Sequence, residues 1–349
     1  MRETAIEESL VIEGIDELKV TAWLAAQMPA LVPPVAYTLL AGGHSNLTYR
    51  CDDAAGHCYV LRRPPLGHVL ESAHDMGREH RVISALAHSG VPVPAVHGLC
   101  ADTQVNGAPF FVMGFVAGRV LHDVASAASL AETARYGLGL HVAEVLATLH
   151  RLVPAAVGLD DLGRKEHYIA RQLKRWAAQW AQTKTYEVPA MDAAFRLLGE
   201  RLPTQAGASI VHGDYRLGNM IVAEGKIQAL LDWELCTLGD PLADLGYLLN
   251  TWRAPDEVSG DVEDGLPTIA GGFPSREELI TRYARLTGFD LSQIDYYRAF
   301  SYWRIAAIRQ GVYKRYSVGA MGAEHTFDLE GYKRNIIRTA EHAVQLLGG

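Results

Sequence analysis

The chain has 349 residues, 49% of them hydrophobic, and single hydrophobic cores stop growing at about 250–300 residues, so two units are expected. A net charge of −8, from 40 acidic against 32 basic residues, leaves no electrostatic footprint for nucleic acid or an anionic membrane, and neither partner is expected. No stretch approaches the ~20 apolar residues of a membrane span and the acidic start is unlike a signal peptide, so the expectation is a cytoplasmic protein.

In chain order, residues 22–28 read as a helix closed by Pro29. Two alternating runs follow, 36–51 and 57–65, with turn signals at Gly42 and Gly43 and across 52–56, the pattern of an antiparallel meander. Met76, Glu79, Ile83 and Leu86 then recur at helical spacing within 74–90, ahead of a glycine stop and the strand-like runs "AVHGLC" and "PFFVMGFV". Residues 1–115 are therefore expected to form a strand-rich lobe with one inserted helix. Cys51, Cys58, Cys100 and Cys236 are scattered without Cys-x-x-Cys spacing, so buried reduced thiols are expected rather than zinc or disulfides.

Residues 116–349 carry a different texture, with helical runs at 128–151, 166–183, 189–201, 275–287, 292–316 and 324–347. The one β-like exception is "SIVHGDYRLGNMIVAEGKIQALLDWE", whose apolar runs flank Ala223-Glu224-Gly225-Lys226 as a tight hairpin turn. Residues 253–274 form the longest expected loop.

Within that exception lies "HGDYRLGN", residues 212–219. Asp and Asn around Gly ordinarily mark a turn. The spacing is also that of a kinase catalytic loop, in which an aspartate accepts the substrate hydroxyl proton and an asparagine five residues on holds magnesium; here these are Asp214 and Asn219. Thirteen residues beyond Asn219, past the hairpin, stands Asp232, where kinases place a second metal-binding aspartate. Mg²⁺ is a hard ion that takes one or two carboxylates plus phosphate and water oxygens, which suits Asp232 for charge and Asn219 for a neutral oxygen. Asp214 then stays off the metal and orients the attacking hydroxyl.

Other residues keep company with this motif. "AGGHSNLTYR" offers a turn at Gly43, His44, Ser45 and Asn46 whose backbone could close over phosphates. The strand "YVLR" puts Val60 and Arg62 on one face, with Arg62 where kinases carry a phosphate-binding lysine. That departure is not conservative, because the guanidinium is longer and planar. Glu79 faces inward on its helix and needs a cation, for which Arg62 is the natural partner and Glu71 a rival carboxylate. Met113, Gly114, Phe115 and Val116 occupy the crossing where kinases bind adenine through the backbone.

Together with "GLDDLGRKEHYIARQLKRW", "LLDWELCTLGDPLADLGYLL" and "AAIRQGVYKR", these motifs resemble the aminoglycoside phosphotransferase-like branch of the protein-kinase-like fold. The resemblance spans nearly the whole chain and is strongest to the phosphotransferase domains related to acyl-CoA dehydrogenase fusion proteins. It implies an α+β, two-lobe kinase-like fold, ATP and Mg²⁺ as cofactors, and γ-phosphate transfer to a hydroxyl of a small molecule, a hydroxyacyl-CoA among the acceptors. It also implies that His212 and Asp244 brace the catalytic loop, while Asp240 ahead of Pro241 reads independently as a helix N-cap.

The acceptor is left open between two chemistries. A polycationic aminoglycoside would need an acidic cleft, for which Asp256, Glu257, Asp261, Glu263 and Asp264 are candidates. An anionic acceptor suits Arg298, Arg304, Arg309, Lys314 and Arg315 on the C-terminal helix. The acceptor-side candidates are Arg216, Glu234, Arg304 and Arg309. Trp176, Trp180, Trp303, Tyr296 and Tyr297 read as helix packing. Arg62 also motivates a reading from another class, a catalytically silent nucleotide-binding regulatory module.

Overall fold

The structure is a computed structural model that describes residues 12–41, 46–66, 75–257, 265–318 and 328–349. Gly43, His44, Ser45, Glu71, Asp261, Glu263 and Asp264 lie outside the described residues. The chain divides into two compact units, one of residues 1–87 with 93–116 and one of 88–92 with 117–349.

The first unit opens with α1 (Glu17–Gln27), which starts five residues before the expected 22. The Asp16 side chain caps it by accepting from the Lys19 amide at 3.2 Å, a local signal that apolar periodicity does not reveal. Strands β1 (Val35–Ala41), β2 (Leu47–Asp53) and β3 (Cys58–Arg63) form the meander. Then come α2 (Met76–Leu86), β4 (Val96–Cys100), a short α3 (Thr103–Asn106) and β5 (Phe110–Gly114). The sheet order is β1-β2-β3-β5-β4, antiparallel throughout.

Strand alternation divides the sheet into two faces. Tyr49, Cys51, Leu61, Phe110 and Val112 bury one face in a core shared with Val20 and Leu24 of α1. The other face carries two cross-strand pairs, Val60 with Met113 and Arg62 with Phe111. The pattern sought in α2 is present: Met76, Glu79, Ile83 and Leu86 are all buried. Cys51, Cys100 and Cys236 are buried free thiols, whereas Cys58 is only half-buried because it begins β3.

The second unit contains β6 (Arg119–Val120), α4 (Val124–Ala128), α5 (Glu132–Arg151), α6 (Tyr168–Thr183), α7 (Pro189–Glu200) and β7 (Ser209–Val211). The hairpin β8 (Met220–Ala223) and β9 (Lys226–Leu230) and the strand β10 (Thr237–Gly239) follow. Four helices complete the chain: α8 (Leu242–Asn250), α9 (Arg276–Thr287), α10 (Ile294–Ser317) and α11 (Leu329–Leu346). Small sheets β6-β8-β9 and β7-β10 support the loop between β7 and β8. The hairpin turn places Glu224 at φ 51° and Gly225 at φ 68°, the left-handed pair a two-residue turn requires.

Helix α10 packs against α6, α7, α8 and α11. Trp176, Trp180, Trp303, Tyr296 and Tyr297 are buried in this packing. Trp303 Nε1 donates to the Met191 carbonyl at 3.2 Å and the Tyr296 hydroxyl donates to Leu198 at 2.9 Å, so the buried polar tips are satisfied. Asp240 sits one residue earlier than an N-cap, since Pro241 holds that position. Asp240 still accepts from the Leu242 amide at 3.1 Å and from the Tyr297 hydroxyl at 2.6 Å, a structural role. Among the described residues no helix is long and apolar enough to cross a membrane.

Candidate active site

Strand β7 delivers the chain into a loop that one buried carboxylate organises. Asp244, two residues into α8, accepts from the His212 amide at 2.6 Å and the Gly213 amide at 2.8 Å. His150, at the end of α5, reaches the same carboxylate through Nε2 at 3.3 Å and the Tyr283 hydroxyl through Nδ1 at 2.7 Å. Burial would raise the Asp244 carboxyl. The His150 hydrogen bond, the charges of His150 and His212 and the Gly213 amide outweigh it and hold the group below its ordinary value.

Gly213 takes φ 89°, and a Cβ there would lie 2.8 Å from Leu235 Cβ and 3.0 Å from the Leu235 carbonyl oxygen, so this turn admits only glycine without strain. His212, fully buried, accepts at Nδ1 from the Asp214 amide at 3.2 Å and donates from Nε2 to the Leu231 carbonyl at 3.0 Å. That pairing fixes the tautomer and ties the loop to the strand end leading to Asp232.

Asp214 is thereby presented with its carboxylate partly exposed. The Asn219 side-chain amide donates to the Asp214 carbonyl at 2.8 Å and to its Oδ2 at 2.7 Å. Arg216 Nε lies 3.4 Å from the same carboxylate. Burial acts to raise the Asp214 carboxyl, but Arg216, the hydrogen-bonded Tyr247 hydroxyl, Asn219 and His212 together hold it below its ordinary value.

The hairpin brings the third member of the motif alongside. Met220 pairs with Leu230, and the Leu231 amide donates to the Asn219 carbonyl at 2.8 Å, so Asp232 is the next residue along from a direct partner of Asn219. Asp232 adopts φ 65°, a conformation a non-glycine residue holds only when its surroundings impose it. Among the described residues no three His, Cys, Asp or Glu side chains gather as a metal cage. One carboxylate and one amide oxygen instead match a hard divalent ion whose remaining ligands come from phosphate and water, so these residues fit magnesium.

Beside Asp214 lies a cavity of about 410 Å³, within the second unit. Arg216, Arg304 and Arg309 line it, and Glu234 is not among its lining residues. Arg304 Nη2 donates to the Gly213 carbonyl at 3.0 Å, and its guanidinium carbon lies 5.4 Å from the Tyr247 ring centroid. Arg298 and Lys314 of α10 do not line the cavity: Arg298 binds Asn250 and Asp295, and Lys314 binds the Gln182 carbonyl. Glu257 is tied to Arg276 Nη1 at 2.5 Å and to the Ala254 amide at 2.8 Å, so it is not held ready for a cationic ligand.

In the first unit, Arg62 Nε meets Glu79 Oε2 at 3.0 Å, with Glu79 only 2% exposed. Asn46 is buried immediately before β2. Phe115 is exposed, with the Arg50 guanidinium 4.9 Å from its ring centroid. The Gly114 amide donates to Ala95 at 2.7 Å and the Phe115 amide to Cys58 at 3.3 Å; the Val116 amide takes no part in these bonds.

Sequence reasoning missed His150, Tyr283 and Tyr247. Tyr247 had a readable signal, since it stands three residues after Asp244 on the same helical face. His150 and Tyr283 had none, because each meets Asp244 only through tertiary packing.

Comparison with known proteins gives a consistent match. Residues 36–293 fit the profile of the Phosphotransferase enzyme family. The chain is 37% identical to mouse acyl-CoA dehydrogenase family member 10 over 79% of its own length and 26% of that protein's. It is 36% identical to chicken acyl-CoA dehydrogenase family member 11, over 82% of its length and 38% of the relative's. It therefore spans well under half of these curated relatives. A crystal structure from Ralstonia eutropha, of a candidate aminoglycoside phosphotransferase, superposes with a TM-score of 0.79 at 32% identity, covering 95% of this chain and 98% of that one. A spectinomycin phosphotransferase solved with ADP and spectinomycin shares the fold, with a TM-score of 0.62 at 14% identity over 95% of this chain and 99% of that one.

Proposed function

Because the chain belongs to the phosphotransferase enzyme family, we propose that it transfers the γ-phosphate of ATP, with magnesium, to a hydroxyl of a small molecule. The observation that carries this reading is Asp214: a carboxylate fixed by Asn219, whose own carbonyl pairs across the hairpin base with the residue before Asp232, and facing a cavity large enough for an organic acceptor.

In this reading Asp214 receives the acceptor hydroxyl from the cavity and aligns its oxygen with the γ-phosphorus. The new oxygen–phosphorus bond forms as the bond to ADP breaks, and the hydroxyl proton passes to the carboxylate. A carboxyl held below its ordinary value is a weak base, so orientation is its main contribution and proton transfer comes late, as the loose transition state of phosphoryl transfer permits. Asn219 and Asp232 would hold magnesium, which when bound neutralises charge on the phosphates. His212 and Asp244 keep the loop in register.

On the nucleotide side, Arg62 in its pair with Glu79 would grip the phosphates, the turn at Gly43, His44, Ser45 and Asn46 would cover them, and Val60 and Met113 would meet the base. The Val116 amide is the backbone donor offered to adenine beside Phe115. The Arg62–Glu79 pair keeps the cation oriented as a working site requires, which favours an enzyme over a silent nucleotide-binding module.

For the acceptor we favour a hydroxyacyl-CoA, in keeping with relatives whose names carry acyl-CoA chemistry. The fold neighbours point to an antibiotic, but the cavity carries guanidinium groups rather than the carboxylates a polycation needs. ADP release measured with a hydroxyacyl-CoA panel and an aminoglycoside panel separates the two. Turnover of hydroxyacyl-CoA that disappears in Asp214→Asn supports the reading, and turnover of the polycations alone overturns the acceptor assignment.

A further inference from the structure

The phosphotransfer chemistry has no use for the best-buried cation of the cavity. Arg304 stands on α10 with 7% of its surface exposed. One of its five N–H groups, on Nη2, goes to the Gly213 carbonyl, and the guanidinium lies against the Tyr247 ring. Its Nε is buried without a hydrogen-bond partner, and among the described residues no carboxylate pairs with it. A buried guanidinium lacking both a carboxylate and a full set of acceptors is unfavourable unless a ligand oxygen completes it. Bracing Gly213 explains one N–H and leaves the charge unexplained.

The rest of the wall agrees in sign. Among the described residues, the charged side chains lining the cavity are Arg216, Arg304, Arg309 and Asp214, three cations against one anion. Asp214 is already engaged by Asn219 and Arg216. Cationic side chains therefore outnumber the reacting carboxylate among the described lining groups. Leu235, Leu266, Ile305 and Ile308 supply the apolar part of the wall.

We propose that Arg304 is the residue that selects the acceptor by charge. It favours a hydroxy compound with a carbonyl or carboxylate oxygen a few atoms from the reacting hydroxyl and an apolar body, and it rejects acceptors carrying an ammonium group. This rests on the phosphotransferase reading of Asp214, and it makes Arg304 a specificity residue of the same site. A charge-assisted hydrogen bond from guanidinium to oxygen predicts a preference of about 10- to 100-fold over a neutral isostere, and a larger one over an amine.

The test uses four matched acceptors of one chain length: a hydroxyalkanoate, its N-acetylcysteamine thioester, the corresponding diol and the corresponding amino alcohol. Binding to the full chain is measured by calorimetry without nucleotide, and transfer by ADP release with Mg-ATP. The wild type is expected to bind the acid or the thioester at least about 10-fold more tightly than the diol and to ignore the amino alcohol, the first two arms showing which oxygen is read. Arg304→Gln is expected to bring acid, thioester and diol within about 3-fold of one another, and Arg304→Lys to keep most of the preference.

A wild type that binds the diol or the amino alcohol as tightly as both oxygen-bearing compounds overturns the proposal without any variant having to fold. So does an Arg304→Gln protein that slows equally on every acceptor while keeping the ranking, which is the signature of a loop brace alone. If the preference and its loss are seen in binding but no acceptor is phosphorylated, charge selection by Arg304 stands and the phosphotransferase reading falls.

Discussion

The side-chain amide of Asn219 binds Asp214 twice, at the backbone carbonyl (2.8 Å) and at carboxylate Oδ2 (2.7 Å). One residue thereby sets both the backbone and the rotamer of the proposed base. The first prediction follows from the group so positioned. Asp214→Asn keeps the shape but loses the proton acceptor, so kcat should fall by about 10²–10⁴-fold while calorimetry shows Mg-ATP binding retained. Turnover within a few-fold of wild type would remove Asp214 from the mechanism.

Arg216 is the strongest influence holding the Asp214 carboxyl down against its burial. With the group below its ordinary value, the acid limb of kcat/KM should lie at low pH. In Arg216→Met burial is left less opposed, so the limb should move up toward neutrality, and Tyr247→Phe should move it the same way by less. A limb that stays in place in both variants would show that Asp214 does not control the acid side.

Asp244 accepts two loop amides and faces His150 in a buried setting. Asp244→Ala strands both N–H groups, at roughly 1–3 kcal/mol each, so urea unfolding should report a loss of about 2–5 kcal/mol. The pH dependence has a definite sign. The folded-state carboxyl lies below its unfolded value of about 3.9, so its contribution is fully present above that value and is lost as pH falls through the folded one. The variant should therefore show a shallower loss of stability on acidification than wild type.

The Arg62–Glu79 pair predicts a nucleotide effect confined to KM. Glu79→Ala releases the guanidinium from its fixed geometry, and the KM for ATP should rise about 10-fold with the acceptor KM unchanged. A rise in the acceptor KM alone would place the pair outside the nucleotide site.

Asp232→Ala should raise the Mg²⁺ concentration needed for half-maximal activity by at least about 10-fold or abolish activity. EDTA should silence the wild type, with recovery on adding Mg²⁺. An unaltered metal titration in the variant would exclude Asp232 as a ligand.

What could be read from the chain alone was whatever short-range geometry encodes. Asp214 and Asn219 are five residues apart, and a tight hairpin carries Asp232 back to Asn219, so their proximity needs only a turn and a register. Helical period placed Glu79 on the buried face of α2, and strand alternation placed Arg62 and Val60 together on β3, which ranked Glu79 above Glu71 as the partner of Arg62. The long helices were equally legible, because each carries several turns of periodic apolar residues. The starts of α1 and α8 and the short α3 and α4 were not, since caps and single turns give too few residues for a period to emerge.

Only the tertiary structure decided what surrounds the motif. His150 lies 94 residues from Asp244, and Arg304 lies 91 residues from the Gly213 carbonyl it binds; nothing local links either pair. Arg298, Arg304, Arg309 and Lys314 on α10 looked alike in sequence, and packing alone separated Arg304 and Arg309, which line the cavity, from Arg298 and Lys314, which are spent on neighbouring oxygens. The reason is physical. A turn or a helical face follows from bonded geometry over a few residues, whereas the partners of a buried charge are whichever groups the folded core brings within hydrogen-bond reach.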